Sequence, residues 1–153
     1  MEVLLKAVLL SILPISELRG GIPLAIGLGV SPLKSFIFCI LANIIIVIIF
    51  YFILNYLHRY LVKIKFYSRV IESSILRSRK KLEHRIGTRW EYIFLCLFVA
   101  VPLPLTGGYS GMLIAWFFEL NKKKSIIAVS LGVLIAGIIV TLASIGLFSI
   151  FKI

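Results

Sequence analysis

Long apolar runs without a charged residue dominate the pattern of this sequence. Three of them cover residues 36–57, 92–118 and 125–151, and shorter apolar pieces lie at residues 3–13 and 22–30. Each long run exceeds the roughly 18–20 apolar residues that a membrane-spanning helix needs. The pattern therefore predicts an all-α integral membrane protein with a single membrane domain.

Prolines and glycines interrupt the apolar pattern at two places. The first interruption, LPISELRGGIP, covers residues 13–23, and the second, VPLPLTGGYSG, covers residues 101–111. About ten apolar residues form a helix of only ~15 Å, half of the ~30 Å hydrocarbon core. The sequence thus predicts two re-entrant helical hairpins, whose short helices enter the membrane and return to the same side. Helix breaks are predicted at Pro14, Pro23, Pro102 and Pro104.

A basic segment at residues 58–89 separates the two halves. It contains ten Lys or Arg against two Glu, and its apolar residues recur close to helical spacing. We expect a basic amphipathic helix that lies on the cytoplasmic leaflet and binds anionic lipid; a solvated connector is the alternative. In a membrane protein, the net charge of +11 indicates cytoplasmic loops and anionic lipid rather than nucleic acid as a partner.

The halves, residues 1–57 and 90–153, follow the same order of features. In each, a proline precedes a glycine pair, a short apolar piece, a basic turn and an uninterrupted apolar run. If residues 92–118 crossed the membrane completely, the lysines at positions 122, 123 and 124 would lie outside. The positive-inside rule favours a re-entrant segment instead, and then the halves form two inverted repeats. The predicted protein is multi-pass in the cell (inner) membrane, with a cytoplasmic linker.

Glu17 and Arg19 lie in the first interruption, between apolar pieces. Ionisable residues inside a membrane normally face the protein interior or water. We expect Glu17 to be a protonatable coupling residue and Arg19 to be its partner or a contact for an anion. The alternatives are a structural ion pair at the hairpin tip, or two side chains that reach the membrane surface.

The second interruption carries hydroxyl groups and no charge. Its exposed helix N-terminus would offer backbone N–H groups and a positive dipole end to an anionic head group; alternatively, its small residues only allow close helix packing. The sequence contains no metal-binding cluster, cofactor motif or nucleophile motif. We therefore expect a protein that is not an enzyme and that uses no cofactor. The candidate substrate and proton-coupling residues are Glu17, Arg19, Gly20, Gly21, Thr106, Gly107, Gly108 and Tyr109.

The motifs LPISELRGGIPLA and FVAVPLPLTGGYSG, on either side of a basic linker, resemble the small multidrug export protein family. That family is similar, at a distance, to the DedA/VTT membrane proteins. The resemblance covers nearly the whole chain and implies paired re-entrant hairpins with neighbouring spans. DedA-type members carry an arginine in the second hairpin, which this sequence lacks. The motif positions would be Pro14, Glu17, Arg19, Gly20 and Pro23, then Pro102, Pro104, Thr106, Gly107 and Gly111.

Three functions follow as hypotheses. Proton-coupled export of a small amphiphilic compound is the first, and translocation of a lipid or lipid phosphate by a DedA-like translocase or scramblase is the second. The third is a non-transporting membrane scaffold, in which residues 58–89 dock on anionic lipid or on a partner. Because 153 residues provide few helices to enclose a pathway, we also expect a homodimer.

Overall fold

The computed structural model describes residues 2–61, 89–103 and 106–150. In these parts of the chain all regular structure is helical, and six helices are present. Residues 62–88 of the expected basic linker, and Pro104, lie outside the described residues. The helices are α1 (Glu2–Ile12), α2 (Glu17–Gly27), α3 (Pro32–Leu61), α4 (Arg89–Ala100), α5 (Gly108–Phe117) and α6 (Lys122–Ile150).

Two helices, α3 and α6, are long and apolar enough to cross a membrane, over Pro32–His58 and Lys122–Ile150. They pack against each other in opposite directions. The Lys122 ammonium, at the start of α6, lies 4.0 Å from the centre of the Phe52 ring, in the second half of α3. Further along α6, Gly137 packs against Ile40, in the first half of α3. The two long helices are therefore antiparallel.

The four remaining helices have only 10 to 12 residues and occur in consecutive pairs. Helices α1 and α2 pack side by side: a Cβ on Gly21 would lie against the Ser11 side chain and only 2.5 Å from the Ala7 carbonyl oxygen. Helices α4 and α5 also contact each other. At 1.5 Å per residue, such helices are about 15–18 Å long.

The interruption predicted within residues 92–118 is confirmed. Helix α4 ends at Ala100 and α5 begins at Gly108, so no single helix covers this charge-free run. The order of two short helices followed by a long one occurs twice along the chain.

The helix break predicted at Pro23 is wrong. Pro23 lies inside α2, which begins at Glu17 and continues to Gly27, so the first break is confined to residues 13–16. A proline inside a helix removes one backbone hydrogen bond. Helix α2 tolerates this loss because it packs against α1, α3 and α6. Gly20 and Gly21 also lie inside α2 and do not form the turn.

Both breaks lie beside the middle of the long helices. A Cβ on Gly108, the first residue of α5, would be 2.7 Å from a Val47 methyl of α3 and 3.3 Å from a Val133 methyl of α6. At the end of α1, the Ser11 carbonyl accepts a hydrogen bond of 2.9 Å from the Asn43 side chain of α3. The end of α1 and the start of α5 therefore meet in the core of the helix bundle, whereas residues 13–15 of the first break are exposed.

Candidate functional site

The carboxylate of Glu17 caps a helix in the other half of the chain. Its Oε2 accepts a hydrogen bond of 3.3 Å from the Gly108 N–H, and its Oε1 accepts one of 3.3 Å from the Tyr109 N–H. These N–H groups form the N-terminus of α5, where the helix dipole favours negative charge. Glu17 is buried, with 8% of its surface exposed. A carboxylate from the first half thus completes a helix of the second half.

The backbone of Glu17 is unusual for a residue with a side chain. Its φ is 45°, in the left-handed region, which costs of order 1 kcal/mol for a residue other than glycine. This conformation lies where the turn at residues 13–16 passes into α2. Such strain concentrates at functional sites, where the surrounding packing maintains it.

Because Gly107 has no side chain, the Glu17 carboxylate can lie directly against its backbone. A Cβ on Gly107 would lie against both carboxylate oxygens of Glu17, closer than real Cβ atoms approach any neighbour. Its φ of −153° is ordinary extended backbone, so close approach, and not conformational freedom, requires glycine here. The Gly107 N–H is bonded to the Ser110 hydroxyl at 2.8 Å.

The guanidinium of Arg19 binds the chain on the other side of this break. It donates hydrogen bonds to the carbonyls of Leu103 and Thr106, and one of 3.3 Å to the Thr106 hydroxyl. The single O–H of that hydroxyl can donate to the carbonyl of Val101, at 2.7 Å, or of Leu103, at 2.9 Å. These carbonyls lie between the end of α4 and the start of α5, so the guanidinium bonds backbone acceptors of the second break.

Glu17 and Arg19 are therefore directed at different targets. Within the described residues they form no direct ion pair with each other. The carboxylate binds the N–H groups that begin α5, and the guanidinium binds the carbonyls that follow α4. The pair joins the first turn of α2 to both sides of the second break.

Tyr109 makes a further connection between the breaks. Its hydroxyl donates a hydrogen bond to the Ile12 carbonyl, at the C-terminus of α1. Its ring packs edge-on against Phe50 of α3, with 5.1 Å between ring centres. Together with its N–H bond to Glu17, this residue contacts three helices.

An open cavity of about 210 Å³ lies between the breaks. Five of the candidate residues line it: Glu17, Arg19, Thr106, Gly107 and Tyr109. Gly21 and Gly108 are instead buried against neighbouring helices, and Gly20 lies against Leu10 and Ser16. Pro14, a predicted helix break, also lines the cavity. The candidate residues do not include the rest of the lining, although the Ser110 hydroxyl belongs to the second interruption: Ile15, Ser16, Phe50, Ser110 and Leu113.

The chemistry of this site is that of hydrogen bonding and a single buried carboxylate. The N–H groups of Gly107, Gly108 and Tyr109 are all bonded to side chains of the protein. Over residues 2–61, 89–103 and 106–150, no group of three or more His, Cys, Asp or Glu side chains is arranged to hold a metal ion.

A protein-family comparison matches the greater part of the chain. The family described as "Putative small multi-drug export protein" matches residues 17–139, a range that begins with α2 and includes the second break, all of α3 and most of α6. No curated protein and no solved structure matches the chain. With its two apolar helices of membrane-spanning length, the chain has the character of a membrane-associated export protein. It belongs to the small multi-drug export protein family.

Proposed function

We propose that this protein is a membrane transporter that exports a small amphiphilic compound in exchange for protons, and that Glu17 is its coupling residue. Membership of an export family supports transport. The observation that carries the proposal is the position of the Glu17 carboxylate. It is buried, it joins the two broken segments, and it lines an open cavity.

The membrane arrangement belongs to the same proposal. We take α1–α2 and α4–α5 as re-entrant hairpins, and the two halves as inverted repeats. Three observations support this arrangement: the short helices have half the length of a span, α3 and α6 are antiparallel, and the breaks lie beside the middle of the long helices. Inverted-repeat transporters bind substrate near the membrane midplane, between helices interrupted in this way.

Proton coupling would use the contact between Glu17 and α5. The ionised carboxylate accepts two N–H hydrogen bonds at a positive dipole end, and both interactions favour its charged form. Burial opposes that charge. Protonation removes the charge and weakens the hold on α5. The two protonation states therefore stabilise different positions of the second break, as a coupled transport cycle requires.

A lipid or lipid-phosphate translocase is the second function, and the structure favours it less. A phosphate would need free N–H groups at the start of α5. In the described chain, Glu17 already accepts the hydrogen bonds of Gly108 and Tyr109. A lipid phosphate would have to displace this carboxylate or bind beside it, where negative charges repel.

The scaffold hypothesis depends on residues 58–89, most of which lie outside the described chain. Contact of that segment with anionic lipid, its cytoplasmic location and a homodimer remain parts of our proposal. The scaffold predicts that neutralising Lys80, Lys81 and Arg85 abolishes function and that Glu17→Gln is harmless.

Proteoliposomes with an imposed pH gradient distinguish these functions. The probes are ethidium, an amphiphilic cation, and a phospholipid with a fluorescent head group. The variants are Glu17→Gln and, as a matched control, Glu2→Gln, which removes an exposed carboxylate paired with Lys6. We expect gradient-driven ethidium movement in the wild type and in Glu2→Gln, and none in Glu17→Gln.

Other outcomes identify the alternatives. Lipid movement that survives without a gradient would support a scramblase. Ethidium movement that is equal in Glu17→Gln and the wild type would reject Glu17 as the coupling residue. Movement of neither probe by correctly inserted protein would favour the scaffold.

A further inference from the structure

Asn43 has a fixed orientation in the middle of the bundle. Its side chain is completely buried, and its Nδ2 donates a hydrogen bond of 2.9 Å to the Ser11 carbonyl. Because a carbonyl oxygen can only accept, the amide NH₂ must face α1. The amide oxygen, Oδ1, therefore faces away from Ser11.

The Oδ1 atom is directed at Gly108. It lies 3.3 Å from the position that a Cβ on Gly108 would occupy. Within the described chain, this buried oxygen has no hydrogen-bond partner. The Gly108 N–H does not serve it, because that group donates to Oε2 of Glu17. A buried acceptor without a donor is unfavourable. An O–H or N–H group that donates to Oδ1 would therefore stabilise the protein.

We propose that Asn43 Oδ1 accepts a hydrogen bond from the carboxyl O–H of protonated Glu17, so that Asn43 is a positioning residue of the coupling site. The inference rests on the proposed function. In the ionised state, Glu17 accepts from Gly108 and Tyr109, and Asn43 Oδ1 lacks a donor. When a proton binds the carboxylate, the new O–H group turns to Oδ1 and supplies that donor.

Among the described residues, the titratable groups nearest this carboxylate are on α2 and α5. Arg19 lies on the same helix, and Tyr109 faces Glu17 from α5. On α3, the Cys39 thiol lies beside Ser11. Asn43 itself carries no charge, so it acts on Glu17 only through hydrogen bonding. Its second bond, to Ser11, connects the coupling site to the end of α1.

Infrared spectroscopy of the purified protein in lipid tests this inference. The C=O stretch of the protonated Glu17 carboxyl is identified by its absence in Glu17→Gln and is followed as a function of pH. The test variant is Asn43→Leu, which keeps the branched shape of the side chain, with Asn43→Ala as a second variant. The control is Asn55→Leu on the same helix, where the native amide bonds the Tyr51 carbonyl at 3.1 Å.

We expect Glu17 to be half-protonated at a pH about one unit lower in both Asn43 variants, a tenfold change in proton affinity, with a shifted C=O frequency. Asn55→Leu should leave both values unchanged. A purely structural role would not move this midpoint, since loss of the bond to Ser11 affects both protonation states equally.

The outcomes separate this inference from the proposed function. An unchanged midpoint in folded Asn43→Leu or Asn43→Ala overturns the role of Asn43 and leaves Glu17 as the coupling residue. Ethidium movement that survives Glu17→Gln overturns the proposed function. The lack of any Glu17-dependent carboxyl band over the pH range overturns both.

Discussion

The guanidinium of Arg19 donates a hydrogen bond to the backbone carbonyl of Thr106, 87 positions further along the chain. With its bond to the Leu103 carbonyl, this contact holds two described residues of the second break that belong to no helix. Non-helical backbone inside a membrane is stable only when its polar groups are bonded within the protein. Arg19, which lies in α2, donates such bonds to the backbone of the second break.

Arg19→Lys should lower thermal stability although it preserves the charge. A planar guanidinium can donate to several carbonyls at once, whereas an ammonium group on a different stem cannot reproduce that fork. We expect a loss of about 1–3 kcal/mol, which lowers the melting temperature by several degrees in detergent. The exchange Lys34→Arg, at an exposed position, should have no effect. Equal melting temperatures for Arg19→Lys and the wild type would contradict this role.

Tyr109→Phe should weaken the link between α5 and α1. The variant loses the hydrogen bond to the Ile12 carbonyl and keeps the ring contact with Phe50. One net hydrogen bond is worth about 0.5–1.5 kcal/mol. The corresponding change Tyr56→Phe, which removes a largely exposed hydroxyl bonded to Tyr60 on the same helix, serves as the control for loss of a surface hydrogen bond within one helix. A melting temperature no lower than that of the control would show that the hydroxyl contributes nothing.

Gly21→Ala should destabilise the pair α1–α2. The new Cβ would meet the Ser11 side chain and the Ala7 carbonyl, and forcing extra atoms into a packed site costs about 1–3 kcal/mol. Gly146→Ala is the matched control, because that helical glycine has open space around it; there, alanine should stabilise the helix by up to about 1 kcal/mol. Melting temperatures measured by size-exclusion chromatography after heating compare the two. Similar values for both variants would refute close packing at Gly21.

Much of the fold can be predicted from local sequence. The apolar runs predict α3 and α6, because a membrane-spanning helix has a minimum length and excludes charge. Pro102 and the glycines after it predict the break before α5. Pro23 shows where this reasoning fails. A proline specifies one missing hydrogen bond, but whether the helix ends there depends on the packing of α2 against three other helices.

The site itself could be predicted only in part. Their charges within an apolar sequence mark Glu17 and Arg19 as candidates, and both side chains line the cavity; their role in coupling stays a prediction. Their targets could not be predicted, because the contacts join residues more than 80 positions apart. Asn43, an uncharged polar residue inside an apolar run, joins α3 to α1 through its bond to the Ser11 carbonyl. The direction of its amide oxygen requires the three-dimensional arrangement.

The Glu17 carboxylate occupies the space that a side chain on Gly107 would need. A double-mutant cycle on these two residues tests this contact most directly. Gly107→Ala is made in the wild type and in Glu17→Ala, and the melting temperature of each protein is measured. We expect Gly107→Ala to cost about 1–3 kcal/mol in the wild type, because its Cβ displaces the carboxylate. In Glu17→Ala that space is free, so the same substitution should cost little. An equal loss of stability in both backgrounds would contradict the contact on which this account depends.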